Sequence, residues 1–174
     1  MFENIKQDWK ANSKSINHAG FRTLLVYRFG QWRMTIKNKF LRAPMGFLYR
    51  QMEKHVRFKY GIELPYTVAL GNNITFEHQH GIVIHGQAKI GDGCIIRQGV
   101  TIGNKSLEAP FDAPSIGAYV NIGAGAKILG KVQIGDHAAI GANAVVTSDI
   151  PDYAVAVGIP AKVIKIKYPE GQDL

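Results

Sequence analysis

The chain is poor in the features that announce several common classes of protein. It has one cysteine, Cys94, so no internal disulfide can form; that excludes disulfide-stapled scaffolds and fits a reducing compartment. A lone cysteine reads as a small buried apolar residue. No run approaches the roughly 18 to 20 apolar residues that a membrane-crossing helix needs. The opening MFENIKQDWKANSK lacks the apolar stretch of a secretory leader, and a cytoplasmic location is expected. Acid is scarce in the first sixty residues, which hold 3 Asp and Glu against 13 Lys and Arg. The remaining residues hold 10 against 8, so the N-terminal third carries +10 and the rest −2 of the net charge of +8. A basic region suits nucleic acid, an anionic membrane surface or an anionic small ligand. No nucleic-acid motif accompanies the charge, so no nucleic-acid partner is expected, whereas peripheral contact with an anionic membrane at its inner face stays open.

What is present divides the chain in two. Residues 1–60 read as a basic α-helical region. FENIKQDWKA makes a short first helix, and FRTLLVYRFGQWRM an amphipathic second one with Gly30 as its weak point. Pro44 is placed to open a third, PMGFLYRQMEKHVRFKY, and Gly61 to stop it. From residue 64 the period changes. Apolar anchors fall at Leu70, Phe76, Ile84, Ile90, Ile96 and Ile102, then at Ile116, Ile122, Ile128, Ile134, Ile140 and Val146. Glycine often follows the anchor, and a small or β-branched residue usually sits four after it. A six-residue beat matches neither a helix nor a strand. It predicts a β-helix in which three hexapeptides make one triangular coil, anchors stack inward, and each coil buries its face only against its neighbours. The ends then need caps: the helices at one, the tail 166–174 at the other.

The beat fails twice. From Phe76 to Ile84 the step is eight, and from Ile102 to Ile116 fourteen, read here as two repeats plus two residues. The second break, 104–115, contains NKSLEAPFDAPS and reads as a protruding loop. The first, FEHQHGIVIHG, collects three histidines. Insertions on a rigid repeat are where sites are built. His78 is the candidate general base, since an imidazole of pKa about 6.5 accepts a proton near neutrality. Glu63, nearly one coil back, is the candidate carboxylate that orients it. Glu77, His80 and Asp112 are candidate acceptor contacts. His80 and His85 raise the alternative of a zinc enzyme, which needs a third protein ligand with no obvious source. A non-catalytic trimeric scaffold is the other alternative.

The segment from Gly61 to Lys165 resembles the hexapeptide-repeat acyltransferases, specifically the serine acetyltransferase branch. The stretches that carry the resemblance are GIELPYTVALGNNITFEHQHGIVIHGQAKIGDGCIIRQGVTIG, IGAYVNIGAGAKILGKVQIGDHAAIGANAVV and GIPAKVIK. It implies a mainly β fold, a left-handed parallel β-helix at 61–165, and homotrimers with active sites between subunits. It also implies direct transfer from acetyl-CoA to a hydroxyl, without an acyl-enzyme or a metal. His78 matches the family's histidine, and Glu63 stands where an aspartate is common. Gly123, Ala124 and Ala142 would line the pantetheine groove, and Lys162 would face the CoA phosphates. The family holds the acceptor's carboxylate with an Arg-His pair, where this chain has Asp112 and Ala113. That departure leads to the expectation of a sugar hydroxyl as acceptor, in surface-polysaccharide or glycolipid assembly, with serine O-acetyl transfer as the alternative.

Overall fold

The computed structural model describes residues 2–167. Three helices come first: α1 (Phe2–Ala11), α2 (Ala19–Met34) and α3 (Lys39–Tyr60). Short strands follow: β1 (Ile62–Glu63), β2 (Ala69–Leu70), β3 (Thr75–Phe76), β4 (Ile82–Ile84), β5 (Lys89–Ile90), β6 (Ile95–Ile96), β7 (Thr101–Gly103) and β8 (Ser115–Ile116). The series continues with β9 (Asn121–Ile122), β10 (Lys127–Leu129), β11 (Gln133–Ile134), β12 (Ala139–Ile140), β13 (Val145–Val146), β14 (Ala154–Val157) and β15 (Lys162–Ile166). They stack into three sheets, β1-β4-β7-β10-β13, β2-β5-β8-β11 and β3-β6-β9-β12-β14-β15. Strands β1 to β13 visit the three sheets in turn, β14 and β15 both join the third, and every pairing is parallel except the closing pair β14–β15. Of the tail 166–174, residues from 168 onward lie outside the described residues.

All twelve anchors of the six-residue beat are buried, most at 3% exposure or less. The positions four after them form a second buried row: Ala88, Cys94, Val100, Val120, Ala126, Val132, Ala138 and Ala144. Large anchors along the walls and small residues beside the corners fill a narrow prism. An undisturbed coil takes eighteen residues, as in Ile128↔Val146 and Ile122↔Ile140. Phe76↔Ile96 takes twenty and Ile96↔Ile122 twenty-six, which gives the two insertions as two and eight residues. The second corrects the sequence reading of two repeats plus two. β7 leads straight to β8 in the next sheet, so the step of fourteen from Ile102 to Ile116 turns a single corner.

The helices cap the first coil. Asn12, buried after α1, donates to the Ile74 carbonyl at 2.8 Å and accepts from the Phe76 N–H at 3.2 Å. It satisfies backbone groups of the edge strand β3 that would otherwise lack a partner. Tyr27 of α2 donates to the Val68 carbonyl at 2.7 Å. Gly30 is not the weak point its helix propensity suggests. A Cβ there would lie 2.5 Å from the Tyr49 ring and 2.7 Å from Tyr66, so its absence lets α3 and the first coil pack onto α2. Pro44 does not open α3 either. The helix starts five residues earlier, where the Asn38 side chain accepts the Phe40 N–H at 2.9 Å, and Pro44 lies inside it. Gly61, at φ 61°, ends α3 as expected.

Candidate active site

The extra two residues of the first break can be identified from backbone hydrogen bonds. At the corner between the third sheet and the first, Gly125 N–H donates to the Gln98 carbonyl and Asn143 N–H to the Ala124 carbonyl, both at 2.8 Å. Gly99 N–H donates in the same way to the His80 carbonyl at 2.9 Å. His80 therefore accepts the bond that Gln98 and Ala124 accept in the next coils, although its own φ of 78° is left-handed where theirs is not, and the inserted pair is His78 and Gln79. Both are exposed. The imidazole of His78 is pushed off the coil because the stack has no place for it.

The same corner carries Gly123 and Ala124 after β9 and Ala142 after β12. Three of the four predicted CoA contacts thus stand on one edge of the prism with His78. Gly123 also has a packing reason to be glycine: a Cβ there would lie 2.6 Å from the Ala142 N. Lys162 begins β15, exposed, on the strand that closes the third sheet.

Helix α2 completes the surroundings of His78. Gly20 brings its first turn down onto β3, since a Cβ there would lie 2.8 Å from the Phe76 Cβ. The result is a recess of about 420 Å³ lined by Asn17, His18, Ala19, Phe76, Glu77, His78 and Gln79. Arg22 holds its rim, donating to the Ile16 carbonyl and Asn17 Oδ1 at 2.8 Å and to the Tyr60 hydroxyl at 2.9 Å. His18 is the N-cap of α2, and its Nδ1 is buried with no hydrogen-bond partner. The first turn of α2 has no acidic residue, so its free N–H groups and positive end favour an anion.

The remaining predicted residues are less concentrated. Glu63 is half-buried in β1 and aligned with Val83 rather than with the bulge. Among the described residues no hydrogen bond joins it to His78. Glu77 is ion-paired with Arg97 at 2.5 Å, and Arg97 also bonds Asn121, which makes a polar ladder up the outer face of the third sheet. The Nε2 of His80 lies 3.3 Å from the Gln79 amide. Asp112 is half-buried in the long loop, and Ala113 packs against the core. No group of three His, Cys, Asp or Glu among the described residues is placed to hold a metal ion.

Sequence reasoning missed Asn17, His18 and Arg97. Arg97 was findable, because it follows its anchor Ile96 as Glu77 follows Phe76, one coil away. Nothing local marks Asn17 and His18, which reach the site through the docking of α2.

Comparison with known proteins separates the readings. The model of the bacterial transferase hexapeptide (six repeats) matches residues 113–148. A serine acetyltransferase of Synechococcus elongatus is 35% identical over 84% of this chain and 57% of its own length. A solved soybean serine acetyltransferase complexed with serine superposes with a TM-score of 0.80 at 28% identity, over 93% of this chain and 68% of that one. A serine acetyltransferase in complex with CoA gives 0.78 at 27%, over 93% and 68%. The chain belongs to the hexapeptide-repeat acyltransferases, on their serine acetyltransferase-like branch. Its fold is accordingly the left-handed parallel β-helix with an α-helical N-terminal region. The chain spans between about half and three fifths of the length of the curated relatives it matches.

These relatives overturn the expectation of a sugar acceptor and of a place in polysaccharide assembly. That expectation rested on two loop positions, Asp112 and Ala113. The similarity to serine acetyltransferases runs across 76–84% of the chain.

Proposed function

We propose that the protein transfers an acetyl group from acetyl-CoA to the hydroxyl of serine, as the names of its relatives suggest, and that it works as a homotrimer. The observation that carries the reading is His78, lifted out of the coil by a two-residue insertion into a recess beside the predicted CoA edge. In this reading His78 takes the hydroxyl proton as the serine oxygen attacks the thioester carbonyl. The tetrahedral oxyanion then collapses, the C–S bond breaks, and His78 returns the proton to the departing thiolate. O-acetylserine and free CoA leave. Glu63 would orient the imidazole once acceptor and neighbouring subunit are in place.

The acceptor's carboxylate needs a cationic seat, and Asp112 cannot supply one. The positive end of α2, capped by His18 with its unpartnered Nδ1, supports that role within the same recess. Gly123, Ala124 and Ala142 would pass the pantetheine arm along the corner, and Lys162 would meet phosphate.

The test is thiol release from acetyl-CoA with L-serine, against L-alanine, which lacks the hydroxyl. Turnover with serine alone is expected. CoA binding without any turnover on millimolar serine overturns the acceptor assignment, and failure to bind CoA overturns the enzyme.

A further inference from the structure

We infer that the outer face of α3 lies in the surface of an anionic lipid bilayer. The inference does not rest on the acetyl-transfer reading. α3 packs on the rest of the molecule through Tyr49, Val56 and Tyr60, each buried. On the opposite side Phe40, Phe47 and Phe58 are exposed by 78%, 59% and 73%. They are seven and eleven residues apart, about two and three turns, so they form one stripe, and Leu41 and Leu48 widen it. The helix has 22 residues and no window apolar enough to cross a membrane, which leaves the in-plane orientation.

Charge selects the occupant. Lys39, Arg42, Arg50, Lys54, Arg57 and Lys59 stand along the helix, and Glu53 is its one acid. The Lys39, Lys54 and Arg57 head groups approach the exposed rings of Phe40 and Phe58 to within 6 Å, so cation and apolar surface are presented together. Lipid phosphate complements that arrangement, with the rings entering the acyl boundary and the cations staying at the headgroups. A second copy of α3 does not. A two-fold contact would set this row of cations against itself.

The experiment is co-sedimentation of the full chain with vesicles of phosphatidylcholine alone or with about a third phosphatidylglycerol, at low and physiological salt. Binding confined to anionic vesicles and weakened by salt is expected. Lys54→Glu with Arg57→Glu should lower partitioning at least about tenfold, since each cation near the surface is worth about fivefold. Phe47→Ser with Phe58→Ser should also release the protein, while both variants keep the parent's helical circular dichroism and solution mass, since all four side chains are exposed. Equal sedimentation with neutral and anionic vesicles, or none with either, overturns the inference. So does a fall in solution mass on Phe47→Ser with Phe58→Ser, which would make the stripe a contact between copies.

Discussion

The N–H of Gly99 donates to the carbonyl of His80 at 2.9 Å, the bond that Gly125 makes to Gln98 one coil further on. The relationship locates the irregularity of the first break between Glu77 and Gly81 and shows that the next coil stacks on it with the ordinary corner bond. The candidate base is thus an addition to the scaffold rather than a distortion of it.

Deleting His78 and Gln79 together should therefore restore a regular corner, Phe76-Glu77-His80-Gly81 matching Ile96-Arg97-Gln98-Gly99. The deletion variant is expected to fold with a Tm within a few degrees of the parent and to lose acetyl transfer. His78→Ala should lower kcat by at least about 10²-fold, the worth of a positioned general base. Thermal melts and thiol-release kinetics on the two variants check both. Near-parental kcat in either removes His78 from the chemistry.

The buried pair Asp8–Arg28 should carry the attachment of α1. Arg28 Nε donates to Asp8 Oδ2 at 2.9 Å, Nη2 to the Gly71 carbonyl at 2.5 Å, and both side chains are almost fully buried. Arg28→Met leaves the carboxylate without its cation and should cost about 3–5 kcal/mol near neutral pH. Burial already pushes the Asp8 carboxyl above its usual range, with Arg28 pulling it down, so losing Arg28 raises it further. The folded state then keeps a proton that the unfolded chain has released. Stability of the variant falls as pH rises above about 4, so its deficit should shrink toward acid. Urea melts at pH 4.5 and 7.5 measure this, and a deficit independent of pH excludes the carboxylate as its source.

Much of this architecture is legible because the repeat has only one way to bury its anchors. Ile84, Ile96, Ile122 and Ile140 announce the prism by spacing alone, and the break at residues 77–81 marks the candidate site. The long loop was miscounted because fourteen is close to twelve, and period alone cannot distinguish two coil sides from one long corner. Gly30 and Pro44 were misread because helix propensity is a local quantity, whereas Tyr49, Tyr66 and the Asn38 cap are tertiary or upstream. His18 was invisible because sixty residues separate it from His78, and only the seating of Gly20 on Phe76 brings the two together. The acceptor was misjudged from Asp112 and Ala113, since one missing clamp does not show that no other group holds a carboxylate.

Gly123 separates packing from ligand binding on the CoA edge. A Cβ at this position meets backbone, the Ala142 N at 2.6 Å and the Ile140 carbonyl oxygen at 2.8 Å, so no side-chain rotation relieves it. Gly123→Ala should destabilise the fold by about 1–3 kcal/mol, as overpacking does. Ala142→Gly removes an exposed methyl from the same corner and should leave the melt close to the parent's. If Gly123→Ala melts like the parent while its KM for acetyl-CoA rises, the position serves the ligand and not the corner.

Cys94 should be chemically silent in the folded protein. It fills one of the small slots beside the corners, fully buried, with Sγ 3.1 Å from the Gly117 carbonyl, and burial pushes its thiol up to about 11. The thiolate is the reactive form, so a disulfide reagent at pH 8 should find almost none until the chain is unfolded, and then one thiol. The unfolded thiol ionises near 8.5. Between about 8.5 and about 11 the native state holds the proton that the unfolded chain has lost, so unfolding releases a proton and stability falls as pH rises through that window. Cys94→Ala, which copies the residue at Ala88, Ala126 and Ala138, should flatten the alkaline side of the Tm-against-pH curve while changing the neutral Tm by only a few degrees. An unchanged alkaline slope assigns the loss of stability there to other groups, and rapid labelling of the native protein at pH 8 means that the coil opens around residue 94.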